Sequence, residues 1–191
     1  MDVIEAIKTR RTATTFARET PSRALIADLL DVAVWAPNHR LNEPWRFIVI
    51  AGDYRAKLGN VFADDALEGV ADKTTTEAQG LADAQRKKAT RAPVVIAVAT
   101  EAVRDPKILH TEDVCAVACA TQNLMLAAHA RGLTTKWSTG ACSTPRIKRF
   151  LGLNADDEVL AFVYLGFPAG DGPTSQRADA ETKTAWMGWP E

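Results

Sequence analysis

Apolar residues recur along this chain with two distinct periods, and each period marks a kind of element. Leu25, Ile26, Leu29, Leu30, Ala33 and Val34 return at helical spacing after Pro21-Ser22, so a helix is expected there. It should end by Trp35-Ala36-Pro37, because the residue before a proline is pushed out of the helical region. Val3, Ile4 and Ile7 describe a shorter amphipathic helix, opened by Asp2 with Glu5 at the capping-box position. Four runs read instead as strands, near 46–51, 94–99, 134–138 and 158–166. Val94 to Ala99 is continuously apolar, the mark of a strand covered on both faces. Asp53 should cap a helix through Leu58 and Phe62, and Ser143-Thr144-Pro145 should open one to about Leu151.

The most apolar helix runs from Glu112 to Arg131, with Thr111 as N-cap and Gly132 beyond its end. Thr121, Gln122, Asn123 and His129 interrupt it, so it is apolar nearly all round and expected to be buried. Ala116, Cys119, Ala120 and Asn123 are small enough for another helix to come close. Its acids and its Gln-Asn pair argue against a bilayer span. Residues 63–91 are helix-friendly but weakly patterned, and read as an exposed helical excursion that could act as a lid over a pocket. Beyond Pro168 the chain is broken by prolines yet carries Trp186, Met187 and Trp189, so 168–191 is expected to be an extended arm that docks on its own domain or on a partner.

Composition changes this picture little. The 191 residues suit one domain, 1–191. With 23 basic and 24 acidic residues, the formal net charge of -1 gives no reason to expect nucleic acid or an acidic membrane. Three cysteines and no visible secretory signal fit a reducing cytoplasm. Helices and strands alternate irregularly, which points to an α+β or three-layer arrangement. A doubly wound dinucleotide fold fails, since Gly52 is the lone glycine after the first strand.

Candidate chemistry narrows further by elimination. His110, Glu112, Asp113, Cys115 and Cys119 lie close together, but no second cluster accompanies them, and both thiols read as small buried hydrophobes; no metal is assigned. Cys142 follows a turn without a histidine placed to activate it. What remains is an anion-and-ring site. Arg10-Arg11-Thr12 offers two guanidinium forks and a hydroxyl, suited to a phosphate monoester, although cations also suit the C-terminus of the preceding helix. Asn38, His39, Arg40, Asn42 and Trp45 sit on a loop between helix and strand. The Trp137-Ser138-Thr139-Gly140 run can supply polar edges.

Taken in order, these pieces resemble the FMN-dependent nitroreductase family, in its compact single-domain bacterial branch. The likeness rests on Arg10-Arg11-Thr12, Ala36-Pro37-Asn38-His39, and Asn42-Glu43-Pro44-Trp45 running into Phe47-Ile48-Val49-Ile50. It continues with Arg91-Ala92-Pro93 before the apolar strand, Trp137-Ser138-Thr139-Gly140-Ala141, and Tyr164-Leu165-Gly166-Phe167-Pro168. The resemblance implies a nitroreductase-like α+β fold, with a central mixed or antiparallel sheet flanked by helices. It further implies a homodimer with two FMN molecules at the subunit interface, and ping-pong reduction of nitroaromatic, quinone or related small-molecule acceptors by NADH or NADPH. By position, Arg10, Arg11 and Thr12 would face the FMN phosphate and ribityl chain. His39 would lie near the cofactor from the same subunit or across the interface. Lys136, Trp137, Ser138 and Thr139 would line the flavin, with Lys136 as the cation near N1 and the C2 oxygen. Trp35 stands where relatives often carry an arginine beside the flavin, and Arg177 or Lys183 would supply the C-terminal cation near the phosphate. No side chain is assigned as catalytic, since flavin N5 carries the chemistry. Two alternatives stay open: an FMN enzyme of the same fold running substrate dehydrogenation, dehalogenation or flavin breakdown, and a flavin-binding dimer without turnover.

Overall fold

The computed structural model describes residues 1–102, 105, 107–140, 144–170 and 172–190. Its helices are α1 (Val3–Thr9), α2 (Arg23–Ala33), α3 (Tyr54–Ala66), α4 (Thr76–Thr90), α5 (His110–Ala130) and α6 (Pro145–Leu151), with short 3-10 turns at His39–Leu41 and Ala180–Lys183. Its strands are β1 (Trp45–Ala51), β2 (Val94–Thr100), β3 (Thr134–Ser138) and β4 (Glu158–Gly166). The strands form one sheet in the order β1-β2-β4-β3, antiparallel throughout. All four lie where the pattern of the sequence places them. Ala141, Cys142 and Ser143 lie outside the described residues, so the Cys142 reading does too.

Antiparallel sheets commonly keep one face wet, but this one has helices on both. Val94, Ile96 and Val98 of β2, with Val163 and Leu165 of β4, pack against α2 and α5. The alternate residues Val95, Ala97 and Ala99, with Phe162 and Tyr164, pack against α3 and α6. The inner strands therefore need apolar residues at every position, which is why β2 is buried along its whole length. Gly166 closes this layer: a Cβ there would lie 2.8 Å from the ring of Pro93.

The weakly patterned stretch 63–91 is made from the end of α3, a turn, and α4. Ala63, Leu67, Ala78 and Ala82 form a small core of their own between the two helices. The approach is close because Gly59 sits against the α4 backbone, where a Cβ would lie 3.0 Å from the Arg86 carbonyl oxygen. Small residues on both helices thus explain why an amphipathic signal is faint here.

Three local expectations need correction. The N-cap of α5 is Leu109 rather than Thr111, because the Glu112 carboxylate turns back to accept the Leu109 N–H at 2.9 Å. Asp53 starts α3 without a side-chain cap, its carbonyl accepting from Ala56 and Lys57 instead. The thiols Cys115 and Cys119 are exposed, not buried. Burial on α5 falls on Ala116, Val117, Ala120, Leu124 and Ala128, against α2 and the sheet. The helix admitted by Ala116 and Ala120 is therefore α2 of the same chain. The opposite side of α5 is left open. Among the described residues, no helix is long and apolar enough to cross a membrane.

Candidate functional site

Arg10 caps the C-terminus of α1, its N–H bonded to Ala6 O at 3.0 Å, and the chain then leaves the helix in an extended conformation. Thr12 forms a parallel bridge with Thr135, and Ala13 N donates to Thr135 O at 2.9 Å. The Arg-Arg-Thr turn is thereby laid along the outer edge of β3. The two arginines divide the roles the sequence left open. Arg11 folds back, donating through Nη1 to Lys8 O at 2.7 Å and Arg10 O at 2.9 Å, so it is the cation of the helix C-terminus. Arg10 is half-buried and forms no ion pair with a described residue. Burial first, then the like charges of Arg11 and Arg177, pull its guanidinium below the usual arginine range. Of the two C-terminal cations, Arg177 is the one whose charge reaches Arg10.

His129, in the last turn of α5, joins this cluster, and nothing in its sequence setting marks it. The Thr9 hydroxyl donates to Glu5 O at 2.7 Å, so at the 2.8 Å contact with His129 it accepts from Nε2–H. Burial, Arg10 and Arg11 push the imidazole pKa down, with Glu5 opposing more weakly. A histidine held neutral in the fold but free to charge when unfolded makes stability rise with pH. Nothing is lost above about pH 6.5, the unfolded value, and below it stability falls until pH reaches the lowered folded value. The melting temperature of the flavin-free protein should therefore drop below about pH 6.5. His129→Gln should flatten that slope, and equal slopes in both proteins would show that His129 is not its source.

On the inner face of β3 a second cationic cluster appears. Lys136 pairs with Tyr164 and Ser138 with Phe162, so these side chains share one side of the sheet. They line a pocket of about 170 Å³ with Phe62 of α3, and with Lys88 and Arg91 from the end of α4. Arg91 lies over the Tyr164 ring, 5.5 Å from its centroid. Burial, Arg91 and Lys88, in that order, lower the Lys136 pKa. Among the described residues, no carboxylate lines the pocket. Alternation sends Trp137 to the other face, where it packs against the α2–α5 core, while Thr139 is exposed. The sequence reading missed Lys88, because Arg86-Lys87-Lys88 reads as a solvated charge run. Its position shows once α4 ends beside β2.

The structure does not place His39 or Trp35 with these groups. His39 Nδ1 lies 2.8 Å from Glu112 Oε1 at the start of α5. The Leu109 N–H and then His39 hold the Glu112 carboxyl below its ordinary range. His39 lines an open, largely apolar groove of about 370 Å³ with Pro37, Glu112, Cys115 and Cys119. Trp35 is 86% exposed. The loop that follows His39 is strained: Arg40, Leu41 and Glu43 have φ of 54°, 56° and 47° without being glycine. Asn38 Oδ1 accepts Glu43 N at 3.0 Å, and Asn42 Nδ2 donates to Asp113 Oδ1 at 2.6 Å, which holds that shape. Val3, Ile4 and Ile7 of α1 are all more than half exposed, although their spacing is that of a packing face. Trp186, Met187 and Trp189 on the arm are also exposed, so the arm does not dock them on its own domain.

A model of the nitroreductase family matches residues 7–167. A relative from Escherichia coli K12 named "Putative NAD(P)H nitroreductase YdjA" is 28% identical over 176 residues, 92% of this chain and 93% of its own. Among solved structures, a nitroreductase-like family protein from Bacillus cereus superposes with a TM-score of 0.83 at 25% identity, covering 98% of this chain and 97% of that one. A "putative nitroreductase in complex with FMN" from Desulfovibrio desulfuricans does so at 0.71 and 26%, covering 100% and 99%.

Proposed function

The chain belongs to the nitroreductase family, and from that premise we propose that it reduces nitroaromatic, quinone or related electron-poor acceptors in ping-pong alternation with NADH or NADPH. It is an FMN-dependent NAD(P)H oxidoreductase. The observation that carries the reading onto this chain is the pairing of two cationic clusters on the two sides of β3. One, at Arg10 and Arg177, fits a phosphate. The other, at Lys136, Lys88 and Arg91, fits the end of a ring that gains negative charge. Between them the Thr135 hydroxyl is buried with no partner among the described residues, beside the bridged Thr12 backbone. A buried polar atom left over in this way suits a site that a ligand completes.

When bound, FMN supplies the ring that takes hydride from the nicotinamide and hands it to the acceptor. The protein's part is to hold and to polarise. Arg10, Thr12 and Arg177 would fix the phosphate end, with Arg11 keeping the turn in shape. Lys136 would favour added charge on the ring, helped by Lys88 and Arg91, while the backbone from Lys136 to Thr139 would line it. His39 and Trp35 would come from a second subunit. That assignment explains why one chain keeps them apart from Arg10 and β3, and why α5 leaves Cys115 and Cys119 open beside His39.

The purified protein should be yellow. NADH or NADPH should bleach its visible flavin band without air, and a nitroaromatic or quinone should restore it. Colour that neither nicotinamide bleaches would remove the reductase reading and favour one of the alternatives that keep the flavin.

A further inference from the structure

Arg91 faces two pockets. Besides the pocket at Lys136, it lines a second one of about 230 Å³, between the segment after Thr12 and the ends of α3 and α4. Phe16, Arg18, Arg55, Thr90 and Pro93 line it as well. Three guanidinium groups thus converge on one small cavity. None forms an ion pair with a described carboxylate. Arg55 is positioned by two backbone carbonyls, Ala92 O at 2.7 Å from Nη1 and Gly52 O at 3.3 Å from Nε. Those bonds leave it three N–H groups and its full charge. Arg18 and Arg91 have no side-chain hydrogen bond to a described residue.

Clustered like charges repel, and an arrangement that gains nothing from packing persists most readily where an anion offsets it. Arginine forks bind phosphate bidentately, and three of them suit a dianion better than a single carboxylate. The cavity is smaller than whole-ligand sites usually are, so it fits one phosphorylated end of a larger molecule. Because Arg91 is shared, that molecule would reach from this cavity toward the ring proposed at the pocket of Lys136.

We propose that the Arg18–Arg55–Arg91 pocket is a phosphate subsite for the adenosine 2′-phosphate of NADPH, which makes NADPH the preferred reductant. The proposal rests on the oxidoreductase reading above for its biological sense, but binding at the pocket can be read without turnover. Calorimetry on the FMN-loaded protein should show adenosine 2′,5′-bisphosphate binding at least about tenfold more tightly than adenosine 5′-monophosphate. Arg18→Gln should abolish that difference, and Arg18→Lys should keep part of it. Arg18 is exposed, so neither change threatens the fold. In turnover, Arg18→Gln should lower the NADPH-to-NADH ratio of kcat/KM about tenfold, through KM. Equal binding of the two nucleotides, or a preference that survives Arg18→Gln, overturns the subsite even if both nicotinamides bleach the flavin. Inorganic phosphate displacing the bisphosphate at equal concentration also overturns it, since the pocket would then take free phosphate. Selective bisphosphate binding with a flavin that neither nicotinamide bleaches would uphold the subsite and sink the reductase reading alone.

Discussion

Arg10→Ala is expected to weaken FMN binding by about a hundredfold, with little change in the melting temperature of the flavin-free protein. The size follows from two charge-assisted bonds of one guanidinium fork to a phosphate, each contributing about 1.5–3 kcal/mol before the losses of desolvation. The unchanged fold follows from the environment of Arg10. It sits half-buried among like charges, and removing it relieves repulsion from Arg11 and Arg177. Arg11→Ala makes the contrast. Its Nη1 is committed to Lys8 O and Arg10 O, so its loss should cost the end of α1 about 1 kcal/mol of stability and flavin affinity much less. Titrating the two variants with FMN by fluorescence quenching separates them. Tight binding by Arg10→Ala would move the phosphate elsewhere, with the partner arm's basic residues next to be tried.

The difference between these neighbours could not be read from the sequence, where Arg10-Arg11-Thr12 offered both a phosphate clamp and a helix-end pair. The structure commits Arg11 to the end of α1 and leaves Arg10 without an ion pair to a described residue, because the extended turn after Arg10 points successive side chains opposite ways. The same limit recurs along β3. Lys136 to Thr139 looked like one lining run, yet strand alternation puts Lys136 and Ser138 in the pocket and Trp137 in the core. What was legible was whatever depends on local period: the four strands, the double-sided burial of β2, and the length of α5. What was not legible depends on which distant element arrives alongside. Lys88 in its basic run, His129 at a helix end and Arg177 on the arm have ordinary sequence settings and gain meaning by position. The resemblance to the family pointed to Arg10–Thr12, Arg91 and the run after α5. It could not say that α4 brings Lys88 beside Lys136.

Cys119→Arg is expected to break a homodimer, and with it the flavin site. In one chain Cys115 and Cys119 are exposed on the side of α5 that faces away from α2, one turn apart, on the groove that His39 lines. Val3, Ile4 and Ile7 of α1 are exposed as well. Burying such a face against a symmetry mate uses one patch twice, as a two-fold interface does. An arginine placed at its centre would be an unpaired buried charge, costing about 3–5 kcal/mol, so dimer dissociation should strengthen by two to three orders of magnitude. Because the bound flavin is proposed to draw His39 and Trp35 from the second subunit, it should be released together with the dimer. Ala120→Leu supplies the control. Ala120 is fully buried against α2 within the chain, so the extra methylenes should lower the melting temperature by overpacking, about 1–3 kcal/mol, without changing the oligomeric state. Sedimentation equilibrium with absorbance read at the flavin band follows mass and cofactor in one experiment. A Cys119→Arg protein that sediments as a dimer with its flavin would place the interface on another face and return His39 to the same subunit's site.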